Sequence, residues 1–133
     1  MPKLNWDVLD LIDYFAVLPE VEDYAVSHTF QVERDAVILT MQLWGNESIV
    51  HLTLSAAENE TPFVSWYIAV KDRVALVGRG SGRFLKLTGC IPVPSRFYLS
   101  DWETNVFTLP LPHGGLTLDI RLTPSIALAY SRE

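Results

Sequence analysis

Few side chains in this sequence stand at spacings that do chemistry. The three histidines, His28, His51 and His113, are dispersed, with no i, i+4 couple among them. The lone cysteine, Cys90, has no second cysteine beside it, so neither a metal site nor any other cofactor is expected. No serine occupies a nucleophile elbow. Gly78-Arg79-Gly80-Ser81-Gly82 is rich in glycine. It joins two predicted strands rather than a strand and a helix, and no Gly-Lys-Ser/Thr ending follows, so it reads as a hairpin turn and not a phosphate loop. Asp101 and Glu103 flank Trp102 in the manner of paired acid–base carboxylates, and a polar turn accounts for them equally well. The sharpest candidate is Trp66 with Arg79 and Arg83, which the expected register gathers on one sheet face. An arginine stacked on the indole presents its fork to a carboxylate or phosphate; the competing reading is a snorkelling pair at a strand end.

The elements that must position these groups announce themselves by alternation. Tyr24, Val26, His28, Phe30 and Val32 alternate with small or polar residues, as do Val37, Leu39, Met41 and Leu43, and then Val50, Leu52 and Leu54. Period two marks half-buried strands. A two-residue loop at Arg34-Asp35 sets Phe30 against Leu39 and His28 against Met41. A second at Gly45-Asn46 sets Leu39 against Leu52. Every large apolar side chain then falls on one face, and a one-residue slip exposes the whole set.

Ahead of this meander, Leu4, Val8, Leu11, Ile12, Phe15 and Leu18 form one helical stripe over residues 5–18, with Asn5 as N-cap and Pro19 as the stop. After it, residues 63–71 and 74–79 read as a hairpin about Asp72-Arg73, pairing Trp66 with Arg79. Gly80-Ser81-Gly82 leads into a strand that sets Leu85 against Val77. Residues 96–102 and 105–111 form a further pair, Gly114-Gly115 turns Leu111 against Leu118, and Thr123-Pro124-Ser125 returns the chain into Ile126, Leu128 and Tyr130. The expectation is a mainly β (α+β) single domain over residues 1–133. An amphipathic helix precedes about ten antiparallel strands in an up-and-down meander over residues 24–131, forming a strongly twisted sheet or a barrel.

Composition narrows the function classes. The chain has 133 residues, 49% of them hydrophobic and 20% charged, which is globular composition. No apolar run is long enough for a membrane span, no signal peptide is visible, and a single cysteine fits a reducing, cytoplasmic setting. The net charge of −6 is uneven: residues 1–60 hold 11 acids and 2 bases, whereas residues 61–96 hold 6 bases and 1 acid. An acidic chain is a poor general nucleic-acid binder, and its acidic end favours a basic partner. The middle strands are apolar on both faces, so something must cover the second one, and a homodimer is expected. In size and strand count the chain resembles the intracellular lipid-binding barrels, although its helix precedes all the strands. The reading is a non-catalytic protein-binding domain, like a small acidic adaptor, a secretion chaperone or a toxin-neutralising immunity protein. The alternative is a carrier or barrel enzyme whose pocket holds an anionic apolar ligand.

Overall fold

The computed structural model describes residues 3–96 and 115–132. Within them one helix, α1 (Val8–Phe15), precedes eight strands: β1 (Glu20–Val21), β2 (His28–Arg34), β3 (Val37–Trp44), β4 (Ile49–Ala56), β5 (Val64–Val77), β6 (Phe84–Val93), β7 (Leu116–Arg121) and β8 (Ala127–Arg132). All pairings are antiparallel and follow chain order from β1 to β8, so the sheet is an open meander and not a closed barrel.

The sheet curls around its core. Between β2 and β7 lie five inter-strand steps, roughly 24 Å if flat. A single helix nevertheless reaches both. The Phe15 ring lies 5.3 Å from that of Phe30 on β2, and the Tyr14 hydroxyl donates to the Ile120 carbonyl on β7 at 3.0 Å. Trp66 on β5 and Tyr130 on β8 likewise come within 5.3 Å. The core inside the curl contains Leu39, Met41, Leu52, Ile68, Leu85, Leu87, Leu118 and Ile120, with Leu11 and Phe15 of α1. The helix therefore packs across the inner face of the curled sheet and contributes to its core.

α1 is shorter than the apolar stripe predicts. Asp7, not Asn5, caps it by accepting from the Leu9 amide at 2.9 Å, and Ala16 ends it in the left-handed conformation at φ 58°. Leu18 consequently leaves the stripe and is 81% exposed. The first hairpin turns at Asp35-Ala36, both at positive φ as a type I′ turn requires. Phe30 then faces Met41 and Val32 faces Leu39. The second connection uses residues 45–48 and sets Leu39 against Leu54. In both hairpins the partners move by two positions, so the expected core face is kept although the individual pairs differ. Buried Ser48 explains the longer loop, because its hydroxyl donates to the Val70 carbonyl and its own carbonyl accepts from the Val70 amide.

The expected hairpin at Asp72-Arg73 does not form. β5 runs unbroken through both residues, with a register shift between Val70 and Arg73. Gly89 lies opposite at φ +68°, where a Cβ would come within 2.9 Å of the Asp72 amide nitrogen. The polar pair is thus a bulge facing glycine rather than a turn. Past the bulge β5 leaves β4, and the Val74 amide donates instead to the Asn5 carbonyl at 3.0 Å. The Gly80-containing connection is a single 3-10 turn, Gly80–Gly82, and it pairs Val77 with Phe84 rather than with Leu85. Val74 and Leu76 take the inward positions, and Val77 is exposed.

The β7–β8 hairpin sets Leu118 against Tyr130 and Ile120 against Leu128. The strand expected at residues 105–111, nearly all of its partner at 96–102 and the Gly114 turn lie outside the described residues. On the outer face, Trp44, Ile49, Ala69 and Val93 form a second small apolar cluster, with Arg96 stacked 4.7 Å from the Trp44 ring.

Candidate docking edge

Between α1 and β2 the chain places its apolar side chains outward. β1 is only two residues long and pairs through Glu20–Thr29 and Val21–His28. It is followed by a 3-10 turn, Asp23–Ala25, in which Tyr24 and Ala25 both have positive φ, 60° and 55°. Left-handed backbone costs a non-glycine residue roughly 1–2 kcal/mol. The stretch is nevertheless pinned. Glu22 accepts from the hydroxyl of fully buried Ser27 at 2.5 Å and from the Gln42 amide at 3.1 Å, and its own amide donates to the Ser27 carbonyl at 3.0 Å. The Ala25 amide closes the turn on the Glu22 carbonyl at 2.9 Å.

On this fixed support Tyr24 is 99% exposed and Val21 52% exposed. A separate hollow of about 300 Å³ is lined by Leu18, Glu20, Thr29 and Gln31. Glu20, Glu22 and Asp23 supply three carboxylates within the same few residues. An aromatic side chain, flanking apolar side chains and three carboxylates are thus displayed together on this edge. Alternation alone conceals this edge, because Tyr24 and Val26 continue the pattern of β2. The turn at Asp23–Ala25 takes them out of the strand.

The residues singled out from sequence are not brought together. Trp66 lies near the start of β5, whereas Arg79 lies beyond its far end at Val77, so one continuous strand keeps them apart. Trp66 sits opposite Leu52 and packs on Tyr130. A groove of about 340 Å³ there is walled by Trp66, Tyr67, Pro92, Pro94 and Tyr130. The Tyr130 hydroxyl is buried with no hydrogen-bond partner among the described residues, and burial pushes its pKa up. Arg79 is exposed at the start of the Gly80 turn. Arg83 grips Asp13 of α1, Nη1 to the carboxylate at 2.6 Å and Nη2 to the carbonyl at 3.0 Å.

His28 packs edge-on against Trp6 at 4.9 Å and pairs with Leu43 rather than Met41. His51 stacks flat on Tyr67 at 3.9 Å and shares a 2.9 Å hydrogen bond with Ser65; burial lowers its pKa. Among the described residues no cluster of three histidine, cysteine or acidic side chains could hold a metal, and no helix is long and apolar enough to cross a membrane. Asp101 and Glu103 lie outside the described residues.

No protein-family model and no curated protein sequence matches the chain. Among solved structures it is similar to a chain of the contact-dependent growth inhibition toxin–immunity protein complex from Klebsiella pneumoniae 342. The TM-score is 0.68 with 15% sequence identity, over 98% of each chain. At that identity the likeness is one of fold.

Proposed function

We propose that this chain is a non-catalytic protein-binding domain of the immunity type, which docks a cationic protein through the β1 edge and Tyr24. The observation that carries the reading is Tyr24 itself. A large aromatic side chain stands almost wholly in solvent, on a backbone conformation that disfavours it, held by a network around Glu22. Strain maintained by surrounding structure points to a use for the displayed group, and tyrosine is among the residues that dominate interface energetics. A loop already fixed in its binding shape loses little freedom on association.

Charge selects the class of partner. With 11 acids against 2 bases in residues 1–60, this end attracts a basic surface and accelerates its encounter. The same argument favours a different protein over a second copy, since two such edges would bring like charges together. The similar solved structure, a toxin with its immunity protein, fits this reading.

The test is co-expression with the proteins encoded on either side of its gene, followed by size-exclusion chromatography. A one-to-one complex with a cationic protein is expected. Tyr24→Ala should weaken it roughly 30-fold, the equivalent of a 2 kcal/mol hot spot. A complex indifferent to Tyr24→Ala would move the interface elsewhere.

A further inference from the structure

We infer that a second, independent site binds a phosphate-sized oxyanion in the pocket that α1, the β2–β3 turn and the Gly80 turn enclose. This pocket holds about 190 Å³, below the roughly 300–1,000 Å³ of sites for drug-sized ligands and suited to one tetrahedral anion. Its walls include Tyr14, Arg34, Gly80, Ser81, Arg83 and Thr123. Two guanidinium groups therefore line it, and no described lining residue is a carboxylate. The charge runs against the rest of a chain whose net charge is −6.

Each cation is already held in place. Arg83 is braced by Asp13 through both terminal nitrogens, and its guanidinium carbon lies 5.6 Å from the centre of the Tyr14 ring. Arg34 is exposed, donates to the Glu33 carbonyl at 2.8 Å, and makes no ion pair among the described residues. A third arginine, Arg121, lies 4.0 Å over the Phe84 ring and contributes to the positive field felt by the Tyr14 hydroxyl. Thr123 donates to the Ser81 carbonyl at 2.6 Å and so fixes the Gly80 turn. Gly80 has φ +59° and nothing within 4 Å of a Cβ position, which leaves the backbone open to approach. The Asp13 carboxylate shows what Arg83 recognises: it occupies part of the fork that an incoming oxyanion would share.

That last point gives the test. The intact chain is titrated with inorganic phosphate by calorimetry, against chloride at equal ionic strength. Saturable one-to-one binding is expected. Arg34→Gln and Arg83→Gln should each weaken it about tenfold or more, as the loss of a charge-assisted hydrogen bond implies. Arg79→Gln, outside the pocket, should leave it unchanged. Asp13→Asn should strengthen it several-fold by releasing a competing carboxylate, whereas a merely structural Asp13–Arg83 bridge predicts no gain. Absence of saturable binding, equal weakening by Arg79→Gln, or unchanged affinity in Asp13→Asn would each overturn the site. None of these outcomes bears on Tyr24, so this inference and the docking reading fail separately.

Discussion

Tyr14 and Tyr24 belong to the same short N-terminal segment and have opposite fates. Tyr14 is buried on the inner side of α1, its hydroxyl donates to the Ile120 carbonyl, and the Arg83 guanidinium lies 5.6 Å from the centre of its ring. Tyr24 is in solvent on strained backbone, with acids around it. One ring ties the helix to β7; the other is almost wholly in solvent. The contrast separates residues that the structure needs from residues that the structure displays, and it can be broken by substitution.

The largest effect belongs to Tyr14→Ala, which should cost about 3–5 kcal/mol of unfolding free energy in urea, as for other buried aromatic truncations. Tyr24→Ala should stay within about 0.5 kcal/mol of the parent. Comparable losses in both variants would end the distinction. Tyr14→Phe isolates the hydroxyl: a loss of about 0.5–1.5 kcal/mol is expected, the net contribution of the one hydrogen bond to the Ile120 carbonyl. Tyr24→Gly sharpens the other side of the comparison. Glycine accepts the left-handed conformation freely, so stability should rise by about 0.5–1 kcal/mol while docking is lost. A variant that gains stability and loses binding is the signature of a displayed residue.

The smallest effect concerns His51. Burial holds its folded-state pKa below the ordinary 6.5, so on acidification the unfolded chain takes up the proton first. Stability is full above about pH 6.5 and declines as pH falls towards the folded value, then levels. His51→Gln should flatten that part of a melting-temperature profile between pH 7 and 5, and an unaltered profile would count against the burial argument.

The strands of the first half were legible because alternation encodes the face directly. Both early hairpins differ from expectation by two positions, which preserves the inward set of Phe30, Val32, Leu39 and Met41. Where an odd shift intervenes the same signal misleads. The Gly89 bulge and the Gly80 turn put Leu76, not Val77, inside, and Asp72-Arg73 looks like a turn although the strand continues through it. Joining residues 63–71 and 74–79 into one strand also dissolved the expected meeting of Trp66 with Arg79. Other features depend on distance in sequence. The Arg83–Asp13 bridge links α1 to the start of β6, and no local pattern predicts it. Tyr24 was hidden by the very alternation that revealed β2.

The central claim, that the β1 edge and Tyr24 dock a cationic protein, is tested most directly by a photo-crosslinking side chain at position 24 in the native cell. A control at Glu58, an exposed acid in the β4–β5 connection, carries the same group. One adduct with a single basic protein from position 24, none from position 58, and its loss as ionic strength rises are the results this account predicts. Equal crosslinking at both positions, or an adduct with a second copy of this chain, would contradict it.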